Sequence, residues 1–186
     1  MKKHIVTVGL AVAGLMISFG AAAQEPTMVG GESMYPAKNI VENAVNSKDH
    51  TTLVAAVQAA GLVETLQSKG PFTVFAPVND AFENLPAGTV EKLLMPESKA
   101  MLTGVLTYHV VAGKMDFDAL SAAIKKGKGM ATLTTVQGGK LIAKMNGMHN
   151  ITITDETGAT ANITTYDVYQ SNGVIHVIDK VVMPKM

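Results

Sequence analysis

Imidazoles and thioethers are the side chains of this sequence with the most chemistry to offer. Beyond the N-terminal segment stand His50, His109, His149 and His176. His109 lies in LTYHVVAGK (Leu106–Lys114) and His176 in SNGVIHVIDKVVMP (Ser171–Pro184). Both settings are apolar, and there an imidazole is expected to be a neutral, hydrogen-bonded core group rather than a base. Asp80, near the start of an expected helix, is the natural carboxylate partner for His109. The run Met145-Asn146-Gly147-Met148-His149 gathers two thioethers and an imidazole on an expected hairpin turn. Soft sulfur donors with a histidine suit cuprous copper in an oxidising compartment, which makes Met145, Met148 and His149 an alternative metal site. The plainer reading is that methionine serves as adaptable core filler and a tolerated loop residue. No cofactor is expected. The chain has no G-x-S-x-G elbow, no H-E-x-x-H pair, no cysteine and no glycine-rich dinucleotide loop, so no enzymatic activity is expected.

The elements that must position these residues are led by GPFTVFAPVNDAFENL (Gly70–Leu85). Phe72 to Ala76 is β-branched and aromatic and reads as a strand buried on both faces. Pro77 stops it. Asn79 or Asp80 then stands where a helix N-cap belongs, with Glu83 three residues beyond Asp80, and Ala81, Phe82 and Leu85 fall on one helical face. Before this strand, helices are expected from Asn39 and from Thr51 or Thr52. After it, helices are expected from Thr89, from Pro96 and over Phe117–Lys126, with Tyr108–Val111 as a strand between the last two. From Ala131 the apolar period changes to two. Thr132–Val136, Lys140–Met145, Ile151–Thr154, Thr160–Thr164 and Val174–Ile178 read as strands of an antiparallel sheet, separated by Gly-Gly, Asn-Gly and Thr-Gly turns. Helices first and hairpins later predict an α+β domain.

Residues 1–23 place Lys2 and Lys3 before an apolar run that ends in Ala21-Ala22-Ala23, the layout of a cleavable signal peptide. Residues 24–36 hold Gly30-Gly31 and two prolines and read as a flexible linker, leaving 37–186 as one domain. Export to the periplasm or the cell exterior follows, with no stable membrane insertion after cleavage. Loss of Lys2 and Lys3 leaves 13 of the 15 basic residues against 15 acidic ones, a net charge of −2. Every basic residue is lysine, and tryptophan is absent. The chain therefore lacks the guanidinium fork that clamps phosphate and the best stacking platform for bases, and no nucleic-acid partner is expected.

Three stretches, Gly70–Leu85, Leu106–Lys114 and Ser171–Pro184, resemble in order the first signature, the Tyr-His motif and the second signature of the fasciclin (FAS1) domain, an extracellular adhesion module. The likeness runs from about Ile40 to Pro184, with Ala112 where the family often has proline. The resemblance implies a compact β-sandwich-like core decorated by short helices, and a non-enzymatic module binding an extracellular or cell-surface protein or polysaccharide. It also implies a structural role for Asp80, His109 and His176. Matching positions for partner contact are Tyr108 and His109, with Asp167 and Val168 before the second signature.

Overall fold

The computed structural model describes residues 24–185, so the expected signal peptide lies outside the described residues. The stretch expected to be a linker folds instead. Gly30 and Gly31, at φ 60° and 76°, supply the two left-handed positions of a tight hairpin turn. That turn pairs β1 (Thr27–Val29) antiparallel with β2 (Glu32–Met34). A side chain at Gly30 would also collide with the Ser47 hydroxyl, 2.5 Å from an added Cβ, so the turn docks directly on the following loop. Val29 and Met34 are buried as a result.

Asn39 caps α1 (Ile40–Ala44) through a reciprocal box with Glu42. A single 3₁₀ turn, Lys48–His50, leads into α2 (Thr51–Ala60), which Gly61 ends, and α3 (Val63–Gln67) follows. Strand β3 (Phe72–Pro77) runs into α4 (Asn79–Glu83) and α5 (Thr89–Leu94), and Pro96 opens a 3₁₀ turn before α6 (Lys99–Tyr108). Tyr108 closes that helix and His109 is its C-cap, so the expected strand starts only at Val110, as β4 (Val110–Ala112). Asp116 caps α7 (Phe117–Lys126) by accepting from the Ala119 amide at 3.0 Å, and Lys125 and Lys126 meet its negative end. Five strands complete the chain: β5 (Met130–Thr134), β6 (Lys140–Met145), β7 (Ile151–Thr154), β8 (Thr160–Gln170) and β9 (Gly173–Ile178).

Seven strands form one sheet in the order β4-β3-β9-β8-β7-β6-β5. All neighbours are antiparallel except β3 and β9, which run parallel from Phe72↔Gly173 to Pro77↔Ile178. The sheet curls until its ends meet. Val111 bridges Thr135, and the Val136 amide donates to the Val110 carbonyl at 2.7 Å, which makes the sheet nearly a barrel. Its two faces build two cores. Helices α1, α2 and α6 cover one with Val74, Ala76, Ile175 and Val177; α7 closes the other over Phe75, Tyr108, Leu141, Ile153 and Ile178. The expected two-sided burial of β3 therefore holds, as does the α+β class.

Candidate functional site

The three motifs named from sequence become three adjacent strands: β3 lies between β4 and β9. His109 sits at the corner where α6 turns into β4. Its Nδ1–H donates to the Val105 carbonyl at 2.8 Å, and its Nε2 accepts from the Val182 amide at 3.2 Å. Burial pulls its pKa down to about 4. His176 is held the opposite way round. Its Nε2–H donates to the Met115 carbonyl at 2.8 Å, and Nδ1 faces the Asp167 amide at 3.4 Å; burial again lowers its pKa. Each ring is neutral, with both nitrogens occupied, so neither is free to take a proton from a substrate. Each ties a strand or helix end to a distant loop. Both imidazoles are therefore braces.

Tyr108 is also interior. Its hydroxyl donates to the Lys140 carbonyl at 2.7 Å and accepts from the Glu156 amide at 3.1 Å, and burial raises its pKa to about 12. A Cβ at Gly139 would come within 2.7 Å of its ring, so glycine is required there for close approach. Val168 is 1% exposed and packs with the helical core. Tyr108, His109 and Val168, expected as partner contacts, thus lie beneath the folded surface, because each falls on an inward register or helix-end position.

Asp80 is displaced from its expected role. Helix α4 starts one residue earlier than expected, with Val78 as N-cap and no side-chain cap. Asp80 is exposed, and the His109 nitrogens are already satisfied by backbone groups. The neighbouring Asn79 turns away to cap a different helix. Its Oδ1 accepts from the Thr52 amide and the Thr51 hydroxyl, each at 3.1 Å, and its Nδ2 donates to the Lys48 carbonyl at 2.9 Å. The first signature therefore fastens α2 through Asn79.

Asp167 is the one nominated contact residue that reaches the surface, where it is half-buried. Register shifts in β8 between Ile163 and Val168 bring it into the left-handed region at φ 55°. Its carboxylate accepts from the Phe117 amide at 2.7 Å, so it also caps α7. Around it lies a mixed aromatic and charged face. Phe117 and Tyr166 meet edge to face at 5.2 Å, and the Lys114 ammonium sits 4.4 Å from the centre of the Tyr169 ring. Asp116 and the exposed Asp118 stand beside them. Desolvation and the nearby Asp167 and Asp116 charges push Tyr169 up to about 12.

The Met145–His149 turn sets its three candidate donors in different surroundings. Met145 ends β6 half-buried with its sulfur 3.7 Å from the Ser121 hydroxyl, whereas Met148 is 85% exposed and His149 is exposed.

The sequence profile of the Fasciclin domain family matches residues 48–184. The chain belongs to the fasciclin domain family. It is 48% identical over 155 residues to Protein sll1483 of Synechocystis sp., covering 81% of this chain and 76% of that protein. It is 30% identical over 168 residues to the cell surface glycolipoprotein MPB83 of Mycobacterium bovis, covering 88% of this chain and 68% of that one. Among solved structures it is similar to the FAS1 domain pair of the insect cell adhesion molecule fasciclin I. That match has a TM-score of 0.69 at 17% identity and covers 78% of this chain and 51% of the pair. At that identity the likeness speaks for the fold.

The fold also contains buried polar nodes that sequence reasoning passed over. Asn172 Oδ1 accepts from the Ile40 amide, and its Nδ2 donates to the Leu66 and Ser68 carbonyls, joining α1, α3 and the start of β9. Asn43 pairs both of its amide groups with the Tyr35 backbone and also donates to Gln170. Asp155 accepts from the Thr157, Ala159 and Met183 amides. Asn-Gly at 172–173 reads locally as a turn, and no local pattern tells where a buried amide reaches. Among the described residues no helix is long and apolar enough to cross a membrane.

Proposed function

We propose that this fasciclin-domain chain is an exported, non-enzymatic binding or adhesion module that recognises a protein or polysaccharide at the cell surface or matrix. The face around Asp167 is its contact surface. The observation that carries this reading is the grouping of half-buried Phe117, Tyr166 and Tyr169 with Lys114, Asp116 and Asp118 at the start of α7. Rigid aromatic rings ringed by charges combine apolar contact with orienting hydrogen bonds, and such residues dominate recognition hot spots. The cell-surface and cell-adhesion descriptions of MPB83 and fasciclin I support the same reading.

The test is retention of cell-surface protein and polysaccharide fractions by the immobilised domain. A Lys114→Ala/Tyr169→Ala variant should lose about tenfold or more in affinity, the loss expected when hot-spot contacts are removed, while melting within a few degrees of the parent. Parent-like retention by that variant would place the contact surface elsewhere. Mass spectrometry of exported protein should find a mature chain that begins at Gln24.

A further inference from the structure

The helical side of the domain holds a partly open pocket of about 120 Å³ between α2, α3 and the sheet. Apolar side chains, among them Leu53, Val57, Val74, Leu106 and Ile175, make nearly all of its wall. Hairpin β1–β2 adds Val29 and Met34. Interiors pack with few voids larger than a water molecule, so a space of this size is unusual. An apolar cavity of about 150 Å³ stays dry and takes up molecules the size of benzene.

One buried polar group on this wall lacks a partner. His50 is 3% exposed, its Nδ1 lies 2.7 Å from the Ser47 hydroxyl, and its Nε2 makes no hydrogen bond of good geometry, the Ala76 carbonyl being the backbone acceptor beside the ring. In the tautomer with the ring proton on Nε2 the Ser47 hydroxyl donates to Nδ1, and the Ala76 carbonyl beside the ring favours that tautomer. The other buried polar groups of the wall are spent. Thr107 donates to the Thr103 and Gly104 carbonyls, and both nitrogens of His109 are taken. A void and an unused donor each cost stability, and here they occupy one place.

We propose that this pocket binds a small uncharged molecule with an apolar body of about benzene's size and one carbonyl oxygen, which accepts the hydrogen bond of His50 Nε2–H. A single ligand then fills the space and satisfies the donor. A charged molecule is excluded, because the wall offers no group of opposite charge to offset its desolvation. This site is independent of the surface around Asp167.

Amide NMR titrations of the mature chain with acetophenone, ethylbenzene and benzoate test the proposal. Acetophenone should shift resonances of α2 and β3 saturably and bind about fivefold to tenfold more tightly than ethylbenzene, the margin of one hydrogen bond. Benzoate should leave those resonances in place. His50→Leu should erase the preference for the ketone, and filling the space with Val57→Phe or, should that variant misfold, Ala44→Leu should abolish binding of both neutral probes. The proposal is overturned if acetophenone causes no saturable shifts in α2 and β3, if the parent binds the two neutral probes equally, or if a well-folded filled variant binds as the parent does.

Discussion

His109 and His176 carry their protons on opposite nitrogens, and in each the bare nitrogen receives a backbone amide. Protonation would put a second hydrogen where that amide points. An unfolded His109 takes up its proton near the ordinary value of 6.5, but the folded one does so only near 4. Between these values the unfolded chain binds more protons than the native one. The contribution of His109 is therefore intact above about pH 6.5, declines as the pH falls toward 4, and is lost below that, a span worth roughly 3 kcal/mol. The lowered values of His176 and His50 act in the same direction. Melting curves from pH 7 to 4 should fall more steeply for the parent than for His109→Phe, although the variant starts about 1–3 kcal/mol lower for want of its two hydrogen bonds; parallel curves would contradict this role. Asp167 makes a second case. Its left-handed backbone and its bond to Phe117 both bear on stability, so Asp167→Ala should lose about 1–3 kcal/mol in urea unfolding and Asp167→Gly distinctly less. Loss of stability on altering Asp167 is thus expected even though it borders the proposed contact surface.

At the scale of elements, neither Asn79 nor Asp80 takes the role its sequence suggests. Asn79→Ala removes the bonds that hold the start of α2 and should cost about 1–2 kcal/mol, whereas the exposed Asp80→Ala should stay within about 0.5 kcal/mol. Thermal melts of the two variants decide it, and equal losses would return Asp80 to the framework. Elements announced by local signals were legible: the both-sides-buried pattern of β3, the helix over Phe117–Lys126, the alternation of β6 and β7. Those that depend on a remote partner were not. Gly30-Gly31 with two prolines nearby reads as a linker because only the docking of Val29 and Met34 on the helices makes its hairpin worth forming. Tyr108 reads as strand because the apolar run continues across the helix end, and nothing local announces the left-handed Asp167, because the shifted register of β8 follows from pairing with β9. The candidate contact residues were legible as motif positions only. Whether they face inward or outward is set by the curl of the sheet.

For the whole molecule, the N-terminal hairpin is a clamp on the helical core, since it buries Val29 and Met34 and gives Asn43 its partner at Tyr35. A chain begun at Pro36 should therefore unfold at lower urea concentration, with a loss of about 2–5 kcal/mol typical of emptied core positions; an unchanged midpoint would show the hairpin to be dispensable. The parallel pair β3–β9 has a different consequence. Strand β3 at Phe72 waits for β9 at Gly173, so the sheet cannot join its two parts until the whole stretch between them has been made. Everything made before Gly173 lacks the partner that joins the two halves, and a ribosome-bound chain stalled short of β9 should stay open to protease. Delay of this kind keeps the nascent chain extended until its long-range partner exists.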